Sequence, residues 1–234
     1  MDRRQFNSLP WLALGTAAWL YAAEARAFSL ADLSNADASK GLKTALEKGA
    51  LAAIGNLGKV DGFLGNPQVR IPLPGFLNDA SQLLRTLGQG ERVDELLTSL
   101  NRAAEAAVPQ SRDLLLNAVK SMTVQDAKGI LGGGNTAVTE FFSSKTRPAL
   151  ATKFLPVVTQ ATAKVGLVDK YNSVAGKASE FGLVKKEDAN IQQYVTGKAL
   201  DGLFFMISEE EKKIRENPVG YGSSILTKVF GALQ

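Results

Sequence analysis

The sequence contains no cysteine and no histidine among its 234 residues. Without cysteine, the chain has no disulfide framework, no thiolate nucleophile, no zinc finger and no lipid-modified cysteine. Without histidine, it lacks the side chain that serves most often as general base or metal ligand near neutral pH. These absences exclude Ser-His-Asp and Cys-His catalysis and every histidine-liganded metal site. We expect no catalytic residue of these classes, no metal and no cofactor.

Other catalytic and nucleotide-binding patterns are missing too. There is no S-x-x-K, no G-x-S-x-G, no calcium-loop spacing and no Gly-Lys pair followed by Ser or Thr. The run 132–137, GGGNTA, formally matches the G-x-G-x-x-[GA] dinucleotide pattern, but a predicted helix precedes it where that motif needs a strand. We interpret this run as the end of one helix joined to the start of the next.

The N-terminus has the organisation of an export signal. A mildly apolar run extends from Leu9 to Ala23, and small residues follow at the two positions that a signal peptidase reads, Ala25 and Ala27. Fifteen helical residues reach about 22 Å, short of a hydrocarbon core of roughly 30 Å, so a membrane anchor is disfavoured. The alternative is a buried N-terminal helix. We predict a periplasmic protein whose signal is cleaved after Ala27.

The first residues bear on the export route. The arginine pair Arg3-Arg4 with Phe6 resembles a twin-arginine signal. Asn7 and Ser8 depart from the usual pattern after the aromatic residue, so Sec-type export stays open.

Removing residues 1–27 changes the net charge and the aromatic content of the chain. Three of the 27 basic and two of the 23 acidic residues are lost, which leaves a 207-residue chain with a net charge of +3. That charge is too small for an electrostatic nucleic-acid binder, so we expect no nucleic-acid partner. Both tryptophans, Trp11 and Trp19, are lost as well. The length suits one domain with a substantial core, and we assign 28–234 to it.

Apolar residues recur at spacings of three and four through most of this chain, which predicts an all-α fold. We expect a single bundle of about eight to ten helices with one long Pro/Gly loop at 61–75. The segment 69–74 alternates like a strand, but its two prolines remove ladder donors and favour an extended or polyproline conformation.

Several helix ends are predicted from local signals. Gly88 is expected to end one helix, and Thr123 with Asp126 to start a short one. Pro148 is expected to open a helix that Pro156 then kinks or splits. Asp188 is expected to cap the longest helix, and a final segment spans about 225–230.

The Pro/Gly loop is the most distinctive stretch, with three prolines within eight residues beside two glycines and several apolar side chains. It is either a lid or binding loop over a groove between helices, or an ordered connection that buries Phe63, Leu64, Ile71 and Leu73. We choose seven residues as ligand- or partner-binding candidates: Phe63, Leu64, Asn66, Ile71, Leu73, Asp201 and Phe204.

Two charged features remain. Asp201 lies within an apolar stretch, so its carboxylate is either on the wet face of its helix or buried with a partner. The run 209–216 can bind a cation or a basic partner, or it can be a solvated helix end. The second interpretation is supported by the i,i+4 spacing of Glu209 with Lys213 and of Glu211 with Arg215.

Six stretches of the sequence together resemble a bacterial family catalogued as a domain of unknown function. They are LSNADASKGL (33–42), DGFLGNP (61–67), IPLP (71–74), NRAAE (101–105), KALDGLF (198–204) and EEEKKIR (209–215). The resemblance spans the whole mature chain and implies an exported helical protein of the cell envelope. It carries no assigned activity. Some relatives look like lipoproteins with a leader cysteine, which is missing here.

We therefore predict a periplasmic, non-enzymatic helical protein that binds an envelope protein or an apolar ligand between its helices. The alternative is a cell-envelope hydrolase that uses carboxylates and lysines, with Asp201 or Glu209–Glu211 as acids. An apolar groove under residues 61–74 supports binding, whereas two carboxylates about 5–10 Å apart in a polar cleft support hydrolysis.

Overall fold

The computed structural model describes residues 35–134 and 136–217, and these residues form helices and their connections, without any strand. The elements are α1 (Asn35–Leu57), α2 (Gly75–Thr86), α3 (Gly90–Ala107), the 3₁₀ helix η1 (Val108–Ser111), α4 (Arg112–Lys120), α5 (Val124–Gly132), α6 (Ala137–Thr162), α7 (Gly166–Glu180) and α8 (Ile191–Glu216). The all-α prediction is confirmed. The predicted export signal and the final segment at 225–230 lie outside the described residues.

The number of helices is slightly lower than predicted. Helix α3, η1 and α4 follow one another without an intervening loop. When these three are counted as one continuous helical segment, the described part of the chain has seven helices, against the eight to ten expected for the mature chain.

Helix α8 is the centre of the packing. It contacts α6, α1 and α3, while α6 also packs on α3 and α4, and α1 on α4 and α5. The largest fully buried side chains include Phe63, Phe142 and Phe154, which come from the Pro/Gly loop and from α6. The core thus lies around α8 and extends beneath the loop.

Helix α6 corrects the prediction that a new helix begins at Pro148, and of the two effects predicted for Pro156, a kink or a split, the split does not occur. A single helix of 26 residues contains both prolines. Buried side chains recur at every fourth position along it, namely Phe142, Thr146, Leu150, Phe154, Val158 and Thr162. Both prolines are exposed on the opposite side. Because the buried stripe is continuous, tertiary packing outweighs the cost of about 3 kcal/mol for a proline in a helix interior.

Two of the predicted helix ends are confirmed. The Thr123 hydroxyl accepts the Asp126 amide, and the Asp126 carboxylate accepts the Thr123 amide, which is a capping box at the start of α5. Gly88 follows the end of α2 with φ +75°, a left-handed conformation that suits glycine.

The predicted cap of α8 is wrong by two residues. Asn190, not Asp188, accepts the backbone amide of Gln193 at the N-terminus of the helix. The carbonyl of Asp188 instead accepts the Tyr171 hydroxyl. Asn and Asp are equally good N-caps, so their chemistry could not separate the two positions.

Within residues 35–134 and 136–217, none of the helices combines the length and the apolar character that crossing a bilayer requires.

Candidate functional site

The predicted Pro/Gly loop corresponds to the connection between α1 and α2, which in the structure spans residues 58–74 and keeps that name below. Polar side chains of α3 and α8 fix its position. Its last part has no strand partner, and Pro74 adopts φ −53° and ψ 146°, close to polyproline II geometry. Val69 instead lies in a turn, in which its N–H donates to the carbonyl of Asn66, so the extended conformation predicted for 69–74 is not present at its first residue.

Glu105 of α3 holds the first half of the loop. Its carboxylate is buried, and Oε1 accepts the backbone N–H groups of Phe63 and Leu64 at 3.0 and 3.1 Å. The other oxygen, Oε2, accepts Nη1 of Arg102 at 2.6 Å. The same guanidinium donates from Nη2 to Asp61 at 2.8 Å, and these contacts, first with Glu105 and then with Asp61, raise the pKa of Arg102. The buried charge is thus both paired and hydrogen-bonded.

Asn101, one turn before Glu105 on the same face of α3, holds the second half. Its side-chain amide accepts the N–H of Ile71 at 2.8 Å and donates to the carbonyl of Ile71 at 2.9 Å. It also donates to the carbonyl of Leu97 at 2.9 Å. Asn101 is fully buried, so it replaces the pairing that a neighbouring strand would give this extended segment.

Helix α8 contacts the loop from the other side. The Tyr194 hydroxyl donates to the carbonyl of Pro72 at 3.1 Å, and burial raises the pKa of Tyr194 to about 12. The ring of Phe63 lies directly against Gly202: a Cβ at position 202 would lie 2.7 Å from Cε1 of Phe63. A side chain at position 202 would therefore displace this buried ring.

The seven predicted binding residues occupy three kinds of environment. Four are buried in the core: Phe63, Ile71, Leu73 and Phe204. Leu64 and Asn66 are half-buried, and Asp201 is exposed. The loop therefore packs as the ordered connection that was one of its two interpretations, and a binding role for these residues stays a prediction.

Asp201 lies on the solvent-exposed face of α8, where its carboxylate forms an ion pair with Nη2 of Arg147 from α6. The guanidinium of Arg147 also lies over the ring of Phe204, 5.6 Å from its centroid. No other N–H of Arg147 forms a hydrogen bond with a described residue. Two of the predicted residues are thus joined through an arginine that the sequence analysis did not select.

A groove of about 420 Å³ lies between α6 and α8 beside this ion pair. We call it the α6/α8 groove. Its lining is mainly apolar or small and consists of Arg147, Pro148, Ala151, Thr152, Leu155, Gln193, Thr196, Gly197 and Leu200. From Arg147 to Leu155 it extends about 12 Å along α6.

The α6/α8 groove contains two unusual polar groups. Thr196 is 5% exposed, and its hydroxyl has no hydrogen-bond partner among the described residues. Arg147 contributes the free N–H donors at the end of the groove next to Asp201. Gly197 leaves the floor open, since a Cβ at this position would meet no atom within 4 Å. The groove thus combines a mainly apolar lining with the guanidinium of Arg147 at one end, while the Thr196 oxygen is buried beneath that lining.

A second cleft, of about 270 Å³, lies between the Pro/Gly loop and α8, on the Asp201 side of the ion pair. A third, of about 290 Å³, lies between α3 and the start of α7 and contains Arg92, Glu95 and Lys170. Asp201 and Glu95 are the only carboxylates that line these two clefts, one in each. In the described part of the chain, no group of three or more carboxylates is placed to hold a metal ion.

The acidic run at the end of α8 corrects two expectations. Glu210 and Glu211 are buried, so the run is not a fully solvated helix end. Lys212 pairs with Glu209 at 2.5 Å and Lys213 with Glu210 at 2.8 Å, so these pairs are i,i+3 instead of the predicted Glu209–Lys213 pair.

Sequence reasoning missed the groove residues Arg147, Thr196 and Gly197 and the loop-binding pair Asn101 and Glu105. A usable signal existed for the pair: four residues apart, they lie in register with the apolar stripe of α3 that contains Leu97 and Leu100. No signal in the sequence indicated which helix would lie beside Gly197.

The comparison with curated proteins gave no match. The comparison with solved structures also gave none. A family model described as "Protein of unknown function (DUF4197)" matches residues 32–231, which include every stretch on which the resemblance rested. The chain therefore belongs to the DUF4197 family, a family of proteins of unknown function.

Proposed function

We propose that this protein is exported to the periplasm and binds an amphiphilic molecule, with an apolar chain and an anionic head, in the α6/α8 groove. The binding is non-enzymatic. The observation that carries the proposal is a mainly apolar groove between α6 and α8 that ends at the guanidinium of Arg147.

The size and lining of the groove support a small ligand. Ligand pockets commonly measure about 300–1,000 Å³ and combine apolar walls with a few polar groups, and the groove of about 420 Å³ fits that description. Leu155 and Ala151 offer half-buried apolar surface to a hydrocarbon chain.

The charge of the ligand head follows from Arg147. A guanidinium has five N–H donors, and only Nη2 is engaged with Asp201. The remaining donors favour a carboxylate or phosphate, and a charge-assisted hydrogen bond is stronger than a neutral one. An anionic head would share Arg147 with Asp201, so Asp201 weakens the attraction for this head.

The alternative hydrolase has less support. None of the three larger clefts described above contains two carboxylates, which carboxylate-based hydrolysis requires. Asp201 forms an ion pair, and the Glu209–Glu211 run is engaged with lysines in part.

Calorimetric titration of the full chain with monomeric dodecanoate tests the proposal. We expect saturable binding to the wild type, a loss of roughly 10–100-fold in affinity for Arg147→Gln, and no binding to Gly197→Leu, whose side chain fills the groove. Gly55→Leu is the matched control, because Gly55 is an exposed helical glycine with the same free space around it.

Asp201→Asn tests whether Asp201 competes with the ligand head for Arg147 or has only a structural role in the ion pair. It removes the carboxylate that competes for Arg147 and leaves the groove lining intact, so we expect tighter dodecanoate binding. Equal binding to wild type and Gly197→Leu, or weaker binding to Asp201→Asn, would contradict the proposal. If dodecanoate does not bind, but a peptide binds to the wild type and not to Gly197→Leu, the groove would instead be a site for a protein partner.

The export proposal rests on the N-terminal pattern and has its own measurement. Mass spectrometry of the periplasmic fraction should find a chain that starts at Phe28. An intact chain that starts at Met1 in the cytoplasm would contradict it.

A further inference from the structure

The turn between α7 and α8 exposes large apolar side chains that the core leaves out. Phe181 is 79% exposed and Leu183 is 80% exposed, the two highest values among the large hydrophobic residues of the described chain. Val174, 52% exposed, lies seven residues before Phe181 on the same face of α7. We call Val174, Phe181 and Leu183 the apolar tip.

The apolar tip is held in a defined conformation. The N–H of Gly182 donates to the carbonyl of Ser179, and the N–H of Leu183 donates to the carbonyl of Ala178. Gly182 has φ +73°. These contacts form a Schellman motif, in which the last residue usually packs against the residue whose carbonyl it meets. Here that residue is Ala178, which is too small to cover Leu183, so the leucine stays exposed.

Cations flank the apolar tip on both sides. Lys177 precedes Phe181, and Lys185 and Lys186 follow Leu183. All three are exposed, and none forms an ion pair with a described residue. Glu180, Glu187 and Asp188 lie in the same stretch, so the three lysines are balanced in number by three acids over residues 177–188. An apolar protrusion flanked by exposed lysines, which can reach lipid phosphates, suits the interface of a bilayer that contains anionic lipids.

We infer that the apolar tip inserts into the surface of an anionic lipid bilayer and holds the protein there as a peripheral membrane protein. Phe181 and Leu183 enter the boundary between headgroups and acyl chains, while the lysines remain among the headgroups. This inference does not depend on the α6/α8 groove, because the residues that carry it do not line that groove. Its charge is small, so apolar insertion contributes more than electrostatic attraction.

The absence of cysteine from the chain allows a site-specific test. Leu183→Cys in the full chain is labelled with the environment-sensitive dye NBD and mixed with phosphatidylethanolamine–phosphatidylglycerol vesicles. Val60→Cys is the matched control, because Val60 is also apolar and 74% exposed but lies in the Pro/Gly loop. Because the dye reports its own position, association through residues 1–27 does not produce the same signal.

We expect a blue shift and quenching by spin-labelled lipids at position 183 and neither effect at position 60. Adding Phe181→Ser to Leu183→Cys should lower the apparent vesicle affinity of the tip by about tenfold, as loss of one large apolar side chain predicts. No shift with vesicles, or equal shifts at both positions, would overturn the inference. A shift that depends on protein concentration without vesicles would overturn it in favour of self-association.

Discussion

Individual polar residues buried beneath the Pro/Gly loop decide its conformation. Glu105 and Asn101 together accept three backbone N–H groups and return one N–H to a backbone carbonyl of the loop. A segment that has no helix or strand of its own needs such partners, because unpaired buried backbone groups are costly. The apolar side chains of the loop can be buried because the backbone amides next to them have hydrogen-bond acceptors.

Removal of the Glu105 carboxylate should be strongly destabilising. Glu105→Ala leaves the amides of Phe63 and Leu64 without their acceptor and Arg102 without its closest partner, so we expect a loss of about 2–4 kcal/mol in the free energy of unfolding. Urea denaturation measures it. Glu91→Ala, an exposed acid at the start of the same helix, should stay within about 0.5 kcal/mol of the wild type. A loss of the same size for both variants would show that the loop contacts of Glu105 contribute little.

Two tyrosines should make the free energy of unfolding decrease at alkaline pH. Burial, with a smaller effect of Asp188, raises the pKa of both Tyr171 and Tyr194 to about 12. In the unfolded chain tyrosine ionises near pH 10, so the folded state keeps these protons where the unfolded state has lost them. The stabilisation is complete below about pH 10 and is lost as the pH rises to about 12.

The measurement compares denaturation midpoints of the wild type and the Tyr171→Phe/Tyr194→Phe variant across this range. Lysines and the remaining tyrosines are common to both, so the difference isolates the two phenols. We expect the midpoint of the wild type to fall more steeply with pH than that of the variant. Parallel curves would contradict the assignment.

At the scale of elements, the sequence predicts helices best where an apolar stripe and a local signal agree. Helix α5 follows directly from Thr123 and Asp126, because a capping box is formed by neighbouring residues alone. The boundary at Pro148 fails because a proline signal is local, whereas the buried stripe of α6 is a property of the whole bundle. The α6/α8 groove could not be predicted, since it depends on which two helices become neighbours.

Because the loop packs on α8 at one glycine and not at another, we expect alanine substitutions at these two glycines to change stability in opposite directions. Gly202→Ala places a Cβ 2.7 Å from the buried ring of Phe63, so we expect a net loss of about 1–2 kcal/mol despite the better helix propensity of alanine. Gly197→Ala meets no atom within 4 Å and should be stabilising by up to about 1 kcal/mol. Thermal denaturation of both variants checks the opposite signs, and the same sign for both would refute the close approach of Phe63.

At the scale of the whole molecule, three clefts of the described fold could receive a ligand, and each contains at most one carboxylate. The chain has no cysteine or histidine to add to them. Membership of the DUF4197 family adds no activity to this account. What the fold adds is the α6/α8 groove, with a mainly apolar lining and Arg147 at one end.

Native mass spectrometry of the protein purified from its own cells tests ligand binding in this groove most directly. We predict that the wild type and Gly55→Leu carry an additional mass that organic solvent removes and that the extract contains an anionic amphiphile. Gly197→Leu, purified in the same way, should carry none. A wild-type protein without any bound mass, or a Gly197→Leu protein with the same bound mass, would contradict the account.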